Sequence, residues 1–208
     1  AQANDVSLKF NIALDVLGNE VAKLDWSTIN YLDASTPLGD LDSGIDFALG
    51  GSLYYGDGFV YLGGRFTIAT GGYTVSGGGT TADFIANVTT FTVSDAALFA
   101  CVSGGFTYDA ANPTVITGLI ALADLEGATG FDASGVSAEL AFVIEEAGSL
   151  RSWSAVDVSV ATADLAGLPD GFVASASNLS FRTNVTDVVS GTKLDWTTLT
   201  LDATAFDV

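Results

Sequence analysis

Asp40, Asp42 and Asp46 surround Gly44 in the stretch L-G-D-L-D-S-G-I-D-F. Oxygen ligands spaced closely about a turn glycine are what a hard divalent cation takes. These three carboxylates are therefore the candidate metal ligands and calcium the ion they suit, although the later Glu that completes a calcium loop is missing. The plainer alternative, a solvated acidic turn ahead of a strand, is the favoured one. Glu145 and Glu146 are adjacent, so on a strand they point to opposite faces and make no general acid-base pair by themselves. A glycosidase pair would have to be assembled from distant strands.

Other reactive types are few. The chain has no histidine, which removes Ser-His-Asp triads, imidazole acid-base catalysis and His-ligated zinc. Its single cysteine, Cys101, sits in the apolar alternation A-L-F-A-C-V-S and reads as a small buried hydrophobe, with no intrachain disulfide available. Tyr54, Tyr55, Phe59 and Tyr61 cluster, and the shared parity of Tyr55, Phe59 and Tyr61 suggests either a sugar-stacking strand face or, preferably, packing. The glycines from Gly71 to Gly79 lack the Lys-Ser/Thr of a phosphate loop and read as a hairpin turn or tip. Asn87, Asn178 and Asn184 head glycosylation sequons, which chance explains in so Ser/Thr-rich a chain. No catalytic residue and no required cofactor emerges, and the expectation is that the protein is not an enzyme.

Charge narrows the partners. Against 25 acidic residues stand six basic ones, a net charge of -19, and no Lys or Arg occurs between Arg65 and Arg151. Nucleic acid binding rests on clustered cations and is disfavoured, as is docking on an anionic membrane surface. Such a balance suits a solvated, self-repelling protein, a salt-rich habitat or a coat that gathers divalent cations. No apolar run approaches the ~20 residues of a membrane-spanning helix, so no membrane insertion is expected. The sequence opens at Ala1 without Met or a charged-then-apolar leader, from which the expectation is that any secretory signal has been removed or was never part of this chain.

The elements that must position these residues are strands. Val6, Leu8, Phe10, Ile12, Leu14 and Val16 alternate with mainly small, polar or charged residues, the period of a long strand with one wet face. The same period recurs over Phe91 to Val102, Ser137 to Glu146 and Ala155 to Thr162. Helical spacing is sustained nowhere, except that Leu119 to Leu125 reads equally as helix or buried strand. Glycine punctuation at Gly56 to Gly58, Gly77 to Gly79 and Pro169 to Gly171 marks turns. About a dozen strands follow, with strand above 40% and helix below about 10% of the chain, well away from ordinary base rates. The expected class is all-β: antiparallel strands in an elongated sandwich or stacked-sheet repeat unit, one domain over residues 1-208, with residues 1-22 as a terminal exchange strand.

One phrase is written twice: K-L-D-W-S-T-I-N at Lys23 to Asn30 and K-L-D-W-T-T-L-T at Lys193 to Thr200. Each is followed by a second echo, L-D-A-S at Leu32 and L-D-A-T at Leu201, and D-G-F-V occurs at both Asp57 and Asp170. Repetition on this scale points to repeated architecture, the chain spanning a little more than one long unit. Together with A-A-L-F-A-C-V-S-G-G-F-T-Y and L-R-S-W-S-A-V-D-V-S-V-A, these motifs resemble one unit of the long repeats of very large secreted or surface-exposed bacterial repeat proteins. The likeness covers about Asp25 to Asp207 and implies an extracellular structural or adhesive role, with no catalytic residues to carry over.

Two functions follow as expectations. In the first, the chain is a structural subunit of a bacterial surface filament, its partner another copy joined head-to-tail through terminal β-strands with bare edges at opposite ends. The alternative is a calcium-dependent adhesin or carbohydrate-binding module, whose partner is a glycan or cell-surface matrix.

Overall fold

The computed structural model describes residues 1–17, 21–28, 43–57, 59–102, 104–120, 129–146, 151–169, 172–187 and 191–203. Strand accounts for 69% of the described residues and helix for 1%, so the protein is all-β and antiparallel, as the alternation requires. The strands are β1 (Gln2–Phe10), β2 (Ile45–Gly56), β3 (Val60–Gly77), β4 (Phe84–Val102), β5 (Phe106–Tyr108), β6 (Ile116–Leu119), β7 (Thr129–Glu145), β8 (Ser152–Ala166), β9 (Ala174–Thr186) and β10 (Leu199–Ala203). Seven of them form a sheet in the order β1-β2-β3-β4-β7-β8-β9, to which β10 adds on β3, while β5 and β6 form a separate two-stranded sheet.

Among the described residues the longest strands run to 18 and 19 residues, past the glycine doublets that look like punctuation. β3 runs straight through Gly63-Gly64 and Gly71-Gly72. Gly71 is therefore in a strand and not in a hairpin tip, and a Cβ there would strike the Gly44 carbonyl. The turn is confined to Gly77, Gly78 and Gly79, all with positive φ (71°, 60° and 79°), which only glycine adopts cheaply.

A second device keeps such long strands in register. Asp5, Asp95, Gly135 and Asn178 have φ of 53°, 51°, 59° and 54°. Each falls where the pairing of its strand skips: between Asn4 and Ser7, between Val93 and Ala96, opposite Ala161, and between Ser177 and Leu179. Asp5, Asp95 and Gly135 mark bulges, Asn178 stands where a pair is skipped without a change of register, and the four lie in one transverse row across the sheet. Small residues face the row: a Cβ on Gly64 would lie 2.7 Å from the Cβ of Ala96, and one on Gly135 2.7 Å from that of Ala161.

The two faces of the sheet differ sharply. On one face, two groups of large side chains are buried beneath covering segments. Near one end, Val75, Val88, Val143 and Trp153 pack under Leu194, with Trp196 and Leu199 beside them. Towards the other end, Phe99 and Cys101 pack with Tyr61 and Leu119 under the β5–β6 hairpin. Gln2 and Asn4 pin that hairpin by hydrogen bonds with Thr114 and Ile116, and the Tyr54 hydroxyl donates to the Thr117 carbonyl at 3.1 Å. The opposite face is apolar across the sheet, as in the paired row Leu8, Leu49, Ile68, Phe91, Leu140 and Val156. None of these six is fully buried.

The N-terminal strand corrects the sequence reading. β1 ends at Phe10, and the apolar side chains of the Val6 to Val16 alternation point outward, each more than half exposed. The polar parity turns inward: Asn11 is 5% exposed, donates its backbone N–H to the Asp46 carbonyl, and donates from Nδ2 to the Leu24 carbonyl at 2.9 Å. Polar side chains face the covered side because the segments crossing it present backbone groups that must be paired.

Candidate assembly site

The C-terminal phrase is a strap. It leaves β9, crosses the covered face and reaches β3, where Leu199 to Ala203 pair antiparallel with Gly77 to Tyr73. Three bonds fix its path: Asn184 Nδ2 donates to the Leu194 carbonyl (2.7 Å), Trp153 Nε1 to the Thr192 carbonyl (3.1 Å), and Asp195 N–H to the Gly78 carbonyl (2.8 Å). The phrase explains its own turn. Asp195 Oδ1 accepts from the Thr197 N–H and hydroxyl (3.0 and 2.6 Å), and the Thr198 N–H returns to the Asp195 carbonyl. Those hydroxyl and amide donors hold the Asp195 carboxyl below the usual carboxylate range. Leu194, 2% exposed, then plugs the core.

The N-terminal phrase makes the same local bonds. Thr28 N–H and its hydroxyl donate to the Asp25 carbonyl, and Asn11 serves Leu24 as Asn184 serves Leu194. Yet Leu24 is 53% exposed. One copy is docked and the other is not.

The structure extends this repeat to the strands that precede each phrase. The offset that carries Asp5 onto Asn178, two residues with the same positive φ, also carries Ser7 onto Ser180, Lys9 onto Arg182, Asn11 onto Asn184 and Ile12 onto Val185. V-S-L-K-F-N-I and L-S-F-R-T-N-V are thus one strand type, present as β1 on one edge of the sheet and as β9 on the other. Sequence reasoning missed this pair, although its signal, Ser then apolar then basic with Asn two beyond, was there. It also corrects the expected site of the bare ends: β10 is docked on β3, and the related outer strands are β1 and β9.

Beside the strap lies a cleft of about 510 Å³ bounded by Trp196, Asn184, Arg182, Asp157, Glu139 and Asp195. Arg182 Nε contacts Asp157 Oδ2 at 2.9 Å. Asn184 Oδ1 and Trp196 Nε1 are buried there without a hydrogen-bond partner.

Of the sequence candidates, Asp40 and Asp42 lie outside the described residues, while Asp46 sits in β2 and forms an ion pair with Lys23. Among the described residues no group of three metal-ligating side chains occurs. Glu145 and Glu146 do point to opposite faces: Glu145 is buried and Glu146 exposed. Glu145 takes a two-point bond from Arg151 (2.9 Å each), which raises the guanidinium pKa, and Arg151 stacks over Phe84 and Trp153. Cys101 is buried as expected, and its thiol is pushed up by burial and then by Asp132. Asp132 is itself raised by burial and by Asp164 directly across the strand pair.

The aromatic cluster divides. Tyr55 pairs with Leu62 and Gly56 with Tyr61, so Tyr55 and Tyr61 occupy opposite faces and build no shared platform; the turn at Asp57 reverses the parity. Asp57 Oδ1 caps that turn by accepting from Phe59 and Val60 N–H (3.0 and 2.7 Å), which lowers its pKa. Among the sequons, Asn87 and Asn178 are exposed, whereas Asn184 is held in the strap. Comparison with protein-family models, curated proteins and solved structures found no match.

Proposed function

We propose that this chain is a structural unit of an extracellular bacterial surface filament or fibre, built by head-to-tail addition in which β1 of one copy takes the place of β9 against β8 of the next. The equivalence of β1 and β9 supports it. A strand that carries the same positive-φ position, a basic residue at the same place and the same phrase-holding asparagine is pre-shaped for the neighbour's sheet. In the register of β9, whose Arg182, Phe181 and Leu179 pair with Asp157, Val158 and Val160, Lys9 would meet Asp157, Leu8 Val158 and Val6 Val160. The copied phrase would follow and bury Leu24 as Leu194 is buried. The contact is heterologous and does not close, so it propagates. Salt favours it by screening the net charge of -19.

The test is a cysteine pair, Leu8→Cys with Val158→Cys, in a Cys101→Ala background. Within one chain these positions lie on strands five apart, about 24 Å at the usual strand spacing, so no internal disulfide can form. A ladder of covalent oligomers on oxidation is expected with the pair and not with either cysteine alone; only monomer, or an equal ladder from a single cysteine, rejects the reading.

A second reading, the carbohydrate-binding module, draws on the Trp196 cleft, whose aromatic ring, carboxylates and unpartnered Asn184 and Trp196 atoms are of the kind sugars engage.

A further inference from the structure

The seven-stranded sheet separates its charges by face. Away from the bulge row, its charged residues are Lys9, Asp46, Arg65, Asp132, Glu139, Glu145, Asp157, Asp164 and Arg182. Strand pairing aligns every one of them with the covered face. Within these strands the opposite face carries none, and Glu146 stands at its margin beyond the end of β7. Its side chains include Phe10, Leu62, Ile85, Phe142, Ile144 and Phe181, all more than a third exposed. An apolar hollow of about 330 Å³ opens in it along the bulge row, walled by Leu62, Leu98, Phe131, Val136, Val160 and Leu179.

We infer that this charge-free face is a self-association surface, and that its occupant is the same face of a second copy, giving a sandwich two sheets thick. Three observations select that occupant. The first is size: seven strands about 4.8 Å apart and about twelve residues long at about 3.3 Å each present roughly 1,300 Å², above the roughly 800 Å² per partner of a standard stable interface. That is far larger than the apolar patches a soluble monomer ordinarily exposes.

The second is charge. Face-to-face packing puts the acidic faces of both copies outward, so two strongly negative chains meet without bringing their strand charges together. The third is the backbone. Among the described residues no strand pairs with the outer edges of β1 and β9, and rows of unsatisfied amide and carbonyl groups cannot enter hydrocarbon. Lipid is thereby disfavoured, whereas a sandwich leaves those edges in water. Aligned packing of two twisted sheets would interdigitate the aromatic and branched side chains across a layer about 10 Å thick, with the hollow receiving side chains of the other copy.

This surface is distinct from the β1 edge, and the two can be tested separately in the full chain. Ser7→Pro places a proline on the edge strand and blocks strand addition, while Phe142→Glu, at a position 45% exposed on interior strand β7, puts a charge within the apolar face. Light scattering after size-exclusion chromatography in high salt is expected to give a dimer for Ser7→Pro and a monomer for Ser7→Pro/Phe142→Glu. Both should retain a strand-type circular dichroism spectrum. Ile144→Glu replaces Phe142→Glu should the latter not fold.

The inference is overturned if the charged variant remains a dimer. It is equally overturned if Ser7→Pro is a monomer, whether free or floating with neutral phosphatidylcholine vesicles, the last outcome assigning the face to lipid. Phe142→Glu alone should still give the disulfide ladder of the terminal-strand test, so failure of one interface is legible apart from failure of the other.

Discussion

The two copies of K-L-D-W differ in what surrounds them, not in how they are built. Both phrases form the same Asp-Thr turn, and both hang their leucine carbonyl from a strand asparagine. The C-terminal copy finds Val75, Val88, Val143 and Trp153 beneath it, and its leucine is buried. The N-terminal copy shares the threonine-to-aspartate and asparagine-to-leucine bonds and has an exposed leucine. Local sequence therefore dictates the turn, and only tertiary context decides whether the turn contributes core burial.

The largest expected effect tests that difference directly. Leu194→Ala should destabilise the chain by about 2–5 kcal/mol, the usual cost of a large-to-small change in a core. Leu24→Ala should stay within about 0.5 kcal/mol, as for an exposed position. Urea denaturation of dilute, low-salt protein separates them; similar losses would mean that the two copies are equally docked.

A smaller effect tests whether β1 and β9 are one strand type. Asp5→Gly and Asn178→Gly should each stabilise by about 0.5–1 kcal/mol by relieving a positive φ that glycine adopts freely. Gains of opposite sign in thermal melts would break the equivalence.

The smallest concerns pH. Because Asp195 is held below its ordinary pKa of 3.8, chiefly by the Thr197 hydroxyl and then by the Thr197 amide, its contribution is present above that value and is lost as pH falls through the folded-state pKa. Asp195→Asn should lower the melting temperature slightly at pH 7 and not at pH 2. An equal loss at both would assign the effect to packing.

Strand type was legible because period two survives across long segments such as Ala155 to Thr162. Strand length was not, since Gly63-Gly64 and Gly71-Gly72 look like turns until a neighbouring backbone is seen to need their missing side chains. Which side of β1 faces inward was equally hidden. Alternation reveals that two faces exist, but the crossing strap and hairpin decide which is covered, and both arrive from distant sequence. The paired phrases were visible as words, whereas the β1 and β9 match, with substitutions such as Lys9 for Arg182, became evident only when the positive-φ residues aligned.

The β3–β10 pairing also sets an order of assembly in time. Every other neighbour in the large sheet joins strands close in sequence or separated by one excursion, whereas Leu199 must find Gly77 across most of the chain. Loop-closure cost makes such a contact slow to form. As the chain emerges from synthesis, the meander can complete its hairpins while the groove over Val75, Val143 and Trp153 still lacks its own strap. Under the proposed strand addition, that interval would leave the groove open to the equivalent segment of another molecule.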